Sequence, residues 1–148
     1  CIWPYHCLEG TPGAALEGEF MKMLYFHAAA RNSKPLLLAK GQDPFTEMYG
    51  IIQAEYDPSN TVNQEVLDAV ASHDAIYIAG EASSHCVLAS VSQILAHYAE
   101  RPDITSRITV LVDCMSPIAG FEEATAAQFA QLRDTYGIHL CDSTDLNL

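Results

Sequence analysis

The chain has 148 residues, 49% of them hydrophobic and 18% charged, with a formal net charge of −12. That length allows one domain with a proper core, and that balance excludes a disordered chain. Seven scattered Lys and Arg against 19 Asp and Glu exclude a phosphate-backbone binder, so no nucleic-acid partner is expected.

The opening "CIWPYHCLEGTPGAAL" mixes rings with Gly and Pro punctuation and predicts a loop. From Ala15 to Ala30, Leu16, Phe20, Met23, Leu24 and His27 recur at helical spacing. "KPLLLAKG" predicts a buried strand over 35–39, and "QDPFTEMYGIIQAEY" a loop followed by a short helix. Asn63 starts a helix over 63–72 with Val66, Leu67 and Val70 on one face. "AIYIAG" predicts a second strand, over 75–79. Ser83 or Ser84 then caps a helix carrying Val87, Leu88, Val91, Ile94, Leu95 and Tyr98. A third strand, "ITVLVD", spans 108–113. A last helix follows on Phe121, Thr125, Phe129, Leu132 and Tyr136, stopped by Gly137, and "IHLCD" makes a fourth, weaker strand. Apolar strands alternating with amphipathic helices predict an α/β fold, a parallel sheet flanked by helices in three layers.

No apolar run approaches membrane-spanning length and no signal-peptide pattern opens the chain, so no membrane partner is expected. The five cysteines, at 1, 7, 86, 114 and 141, are an odd number without a C-x-x-C pair. That suits a reducing, cytoplasmic compartment.

Sites in parallel sheets form at the carboxyl edge of the strands. Cys86 lies there, in the first turn of a helix, where unpaired N–H groups and the helix dipole favour a thiolate. The same amides could hold the oxyanion of a tetrahedral intermediate. A nucleophile and a packed structural thiol are equally compatible with this position. Lys40 ends strand 35–39 at the same edge and could hold a thiolate. His85 projects about 100° from Cys86 on a helix, so it reads as a packed or solvated histidine rather than a catalytic base. Asp113 is the best-placed carboxylate on physical grounds, although holding its own loop is the better role for it. His6 follows a rigid Pro and two rings and is compatible with a metal ligand, but one His without H-x-H or H-E-x-x-H is no metal site.

Together, "WPYHCLEGTPG" (3–13), "KGQDPFTEMYG" (40–50), "GEASSHC" (80–86) and "DCMSPIAGFE" (113–122) resemble the nicotinamidase family of cysteine hydrolases, in the isochorismatase-like superfamily. The resemblance covers the whole chain but only the later part of a typical member. It implies Cys86 as nucleophile and Lys40 as catalytic lysine, with an oxyanion hole from the amides of Ala82 and Cys86. It also implies a cis bond at Glu81–Ala82, substrate contacts at Trp3 and Tyr49, and His6 as ligand to a divalent metal (zinc, iron or manganese).

The implied activity is hydrolysis of nicotinamide to nicotinate and ammonia through a Cys thioester, within pyridine nucleotide metabolism. A related hydrolysis of another small amide, carbamoyl or ureido compound is the alternative, and a catalytically silent fragment is a third. The family's first-strand aspartate and its D-x-H metal pair would both precede Cys1. The expectation is therefore a single cysteine-hydrolase domain, 1–148, incomplete at its N-terminus and lacking its first two strands. Its partners would be a small amide substrate, the missing half in the same or another polypeptide, and further copies in a homo-oligomer.

Overall fold

The computed structural model describes Pro4 and residues 6–146, so the expectation for Trp3 lies outside the described residues. The chain divides into two compact units, Cys1–Ala39 and Lys40–Leu148.

In the first unit, a short 3-10 turn at Pro12–Ala14 leads to helix α1, Gly18–Arg31. Its local signals are complete. The Glu17 carboxylate accepts from the amides of Glu19 and Phe20, and Asn32 closes the helix in the left-handed conformation, donating to Ala28 and Ala29. The residues at helical spacing are not buried: Leu16, Phe20, Met23 and His27 are exposed, Leu24 is partly buried, and Ala28 is the buried residue of the helix. The strand expected over 35–39 also does not form. Leu36, Leu37 and Leu38 lie in irregular, exposed backbone, without a ladder partner among the described residues. A strand exists only where another strand takes its N–H and C=O groups, and apolar sequence cannot supply that partner.

The second unit holds the sheet. Residues 44–56 run as turns, not as loop and short helix, because side chains take up their backbone groups: the Asp43 carboxylate accepts from the Phe45 amide at 2.9 Å. Helix α2, Gln64–Ser72, starts as expected at Asn63, whose Oδ1 accepts from the Val66 amide. Strand β1, Ile76–Ile78, follows. A π-helical turn at Ser83–Val87 then runs into helix α3, Leu88–His97. Neither serine caps this run, since Ala82 stands at the N-cap of the π turn and Val87 at that of α3, both without a side-chain bond. Helix α4 is one turn, Pro102–Thr105, before strand β2, Ile108–Leu111. Helix α5, Glu122–Tyr136, ends at Gly137 (φ 72°), which donates to the Arg133 carbonyl, and strand β3 is His139–Cys141.

The strands pair in parallel in the order β1-β2-β3, with Ile78 beside Val110 and Val110 beside Leu140. Three parallel strands flanked by helices make the α/β layered fold expected. The core is built from Leu67 and Val70 of α2, Val91, Ile94 and Leu95 of α3, Ile108 and Val110 of β2, and Phe129 of α5. Tyr98 Oη donates to the Leu67 carbonyl at 2.8 Å, so the end of α3 is tied to α2.

Candidate active site

The loop between β1 and the π turn carries the site. Its Glu81–Ala82 peptide is cis, as the resemblance implies. The loop after β2 holds both it and the π turn by hydrogen bonds. Gly80 N donates to Cys114 O and Ser83 N to Ser116 O, while Glu81 Oε2 accepts from Ser116 N and Oγ. Ser84 Oγ accepts from the Ile118 amide at 3.0 Å, which takes that hydroxyl away from helix capping. The carbonyls of Ala82 and Ser83 accept from the amides of Val87 and Leu88, five residues on, and this makes the turn at Cys86 π-helical. Single π turns within helical runs recur at functional sites.

Cys86 is half-buried, and Lys40 Nζ lies 3.5 Å from its Sγ. The same ammonium donates to the Met48 carbonyl at 2.6 Å. An ammonium at this distance stabilises negative charge on sulfur. Both side chains line a cavity of about 410 Å³, walled by apolar side chains of α2, β1 and α3, such as Val70, Ile78 and Ile94. The cavity is open to one side, and its polar or ionisable lining groups are Lys40, Glu81, Cys86 and Ser90.

The remaining expected residues take other places. Tyr49 does not line this cavity but packs against His85, ring centroids 5.9 Å apart. His85 also meets Phe121 edge-on at 5.0 Å and bonds Ser84 Oγ through Nδ1 at 2.8 Å. Asp113 accepts from Ser143 N and Oγ at 2.7 and 2.6 Å, which ties the end of β2 to the turn after β3. Those bonds, the hydroxyl's first, hold its carboxyl below the usual range. Loop-holding is therefore the role that its contacts describe.

In the first unit, His6 is exposed and its Nδ1 donates to Pro4 O at 2.7 Å, leaving the Nε2 lone pair for a ligand. Among the described residues, no group of three or more His, Cys, Asp or Glu is gathered to hold a metal ion. These residues do not make a divalent-metal site by themselves. The described cysteines Cys7, Cys86, Cys114 and Cys141 are free thiols.

Three residues of the site went unpredicted: Met48, Ser90 and Gln93. Ser90 and Gln93 stand four and seven positions after Cys86, hence on its face of the helix. Polar residues at that spacing in an otherwise apolar helix were the available signal.

No protein-family model and no curated protein matches the chain. Solved structures do match. The yeast nicotinamidase Pnc1p is 25% identical at a TM-score of 0.65, over 95% of this chain and 58% of that one. Pyrazinamidase of Pyrococcus horikoshii in complex with zinc is 19% identical at 0.58, over 95% and 63%. Nicotinamidase/pyrazinamidase PncA from Bacillus subtilis is 14% identical at 0.59, over 95% and 64%. The chain thus spans less than two thirds of the length of each. With its parallel strands, flanking helices and cysteine turn, the chain has the isochorismatase-like fold of the nicotinamidases and pyrazinamidases.

Proposed function

We propose that this chain forms part of a cysteine amidohydrolase that converts nicotinamide to nicotinate and ammonia. The observation that carries the reading is the Lys40 ammonium 3.5 Å from the Cys86 sulfur at the wall of an apolar cavity. The Cys86 thiolate attacks the carboxamide carbon and forms a C–S bond. The oxyanion is held by the amides of Ala82 and Cys86 while Lys40 balances the charge. The C–N bond breaks, and the nitrogen leaves as ammonia after taking a proton. Water then cleaves the thioester, releasing the acid and restoring the thiol.

The proton donor in this reading is the aspartate that the resemblance places on a strand before Cys1. The active form then includes that strand, in the same or another polypeptide. The resemblance assigns Trp3 to the substrate ring, while Tyr49, which does not line the cavity, has no part in this reading. The resemblance also assigns His6 to a divalent metal. Such a metal would supply a point of attachment for the ring nitrogen or its bound water.

Ammonia release from nicotinamide, measured on the longest expressed product of the gene, tests the reading. Cys86→Ala should reduce it to background, whereas turnover retained in that variant overturns the assignment. A panel including pyrazinamide and ureido compounds tests the substrate. Turnover of a ureido compound without nicotinamide would transfer the reading to the related hydrolases.

A further inference from the structure

The lysine at Cys86 is held by a loop that has no ladder of its own. Lys40 Nζ donates to the Met48 carbonyl at 2.6 Å, and the neighbouring Gly41 amide donates to Met48 Sδ at 3.4 Å. Met48 lies within irregular backbone, where a main-chain bond from the Glu55 amide to the Glu47 carbonyl at 2.8 Å stands beside it and side chains supply further anchors. They come from α3. Gln93 Oε1 accepts from the amides of Ile52 and Gln53 at 3.1 and 3.2 Å, and its Nε2 donates to the Gln53 carbonyl at 2.9 Å. Ser90 Oγ accepts from the Ile51 amide at 3.1 Å and donates to the carbonyl of Cys86 itself at 2.7 Å. A closed circuit results: Cys86 sulfur to Lys40, Lys40 to Met48, Met48 along the chain to 51–53, and from there through Ser90 and Gln93 back to the helix bearing Cys86.

Gln93 is the centre of this clasp because it alone makes three of the bonds. Gly50 shows how tightly the loop lies on it. A Cβ there would fall far inside contact distance of the Gln93 amide, and Gly50 is buried at an ordinary negative φ. A side chain there would have to push the Gln93 amide off its bonds, so the constraint at this glycine is close approach and not backbone conformation.

We propose that Gln93 is a positioning residue for the Lys40–Cys86 pair, acting through the Met48 carbonyl. A lysine carries a flexible four-carbon stem, and its ammonium stays on one atom only when a fixed acceptor holds it there. Loosening the 48–53 loop releases that acceptor and lets the ammonium move away from sulfur. The consequence for amide hydrolysis rests on the function proposed above. The consequence for the thiol does not.

The test is the rate of Cys86 alkylation by iodoacetamide, followed by peptide mapping to separate it from the other thiols, from pH 6 to 10. Lys40→Met should slow the reaction about tenfold at neutral pH, because the thiolate then lacks its ammonium neighbour. Gln93→Leu should slow it roughly threefold to tenfold, and Gly50→Ala should act in the same direction. Gln93→Glu retains the two acceptor bonds and should recover part of the rate. The double variant Lys40→Met/Gln93→Leu should be no slower than Lys40→Met alone, which a general loosening of the fold would not produce.

A wild-type alkylation rate in Gln93→Leu, or multiplicative effects in the double variant, overturns the proposal. Should Gln93→Leu not fold, Gly50→Ala against Gly50→Ala/Lys40→Met makes the same comparison. If Lys40→Met leaves the rate unchanged, the Lys40–Cys86 pairing behind the proposed function fails, and the role of Gln93 fails with it. A slowed Gln93 variant in a protein inactive on amides leaves this inference standing and removes the proposed function.

Discussion

Helices α1 and α3 are both rich in apolar residues, yet they are held by opposite means. Helix α1 has what a helix needs locally: a carboxylate at its N-cap, a left-handed Asn at its C-cap and a Lys22–Glu19 pair on its surface. Even so, Phe26 remains 67% exposed and Met23 61%. Helix α3 has no side-chain cap, but Val91 and Leu95 are fully buried and Ile94 nearly so. Caps decide where a helix begins and ends. Burial supplies most of its stability, and burial needs neighbours. The exposed pair on α1 adds little, because both ends are solvated.

Truncation across the two helices should give the largest contrast. Leu95→Ala, at a site of zero exposure, should cost about 2–5 kcal/mol, because the cavity left between α3 and the sheet cannot fully collapse. Phe26→Ala should change stability by no more than about 0.5 kcal/mol. Urea midpoints of the two variants check this, and equal losses would end the distinction. A smaller effect is expected at the cap of α2. Asn63→Ala removes the acceptor for the Val66 amide and should cost about 1 kcal/mol, whereas Asn63→Asp should retain most of the stability.

The smallest effect is one of pH. Asp57 accepts from the amides of Ser59 and Thr61 and from the Ser59 hydroxyl, and these bonds, the hydroxyl's first, lower its pKa from 3.8 to about 2. A depressed carboxyl contributes order that is fully present above 3.8 and is lost as pH falls through about 2. The Asp57 carboxyl carbon, followed by NMR, should titrate near 2. A midpoint near 3.8 would show that the 57–61 turn is not held by this side chain.

Sequence patterns located the elements of the second unit well. The stripe from Val87 to Tyr98 is buried as its spacing requires, Gly137 stops α5, and Asn63 starts α2. Each of these signals lies within one or two helical turns, where spacing and a single cap residue suffice. The failures share a different cause. "PLLLA" is apolar enough for a strand, but a strand needs a partner that its own residues do not encode. Ser83 and Ser84 had the right chemistry for a cap, but Ser84 is taken by the amide of Ile118, 34 residues away.

The candidate site divides along the same line. Lys40 was placed at the sheet edge by a strand over 35–39 that does not form, whereas Cys86 between strand and helix was legible there, and the four motifs supplied the resemblance to nicotinamidases. The 3.5 Å contact between the two side chains was not legible, nor was the circuit through Met48, Ser90 and Gln93 that holds it. Residue order alone determined which groups can carry chemistry and which stretches form helices, because both are local properties of side chains. Only the tertiary structure decided which of those groups meet. Contacts across 46 positions of chain depend on how elements pack, and packing is a property of the whole unit.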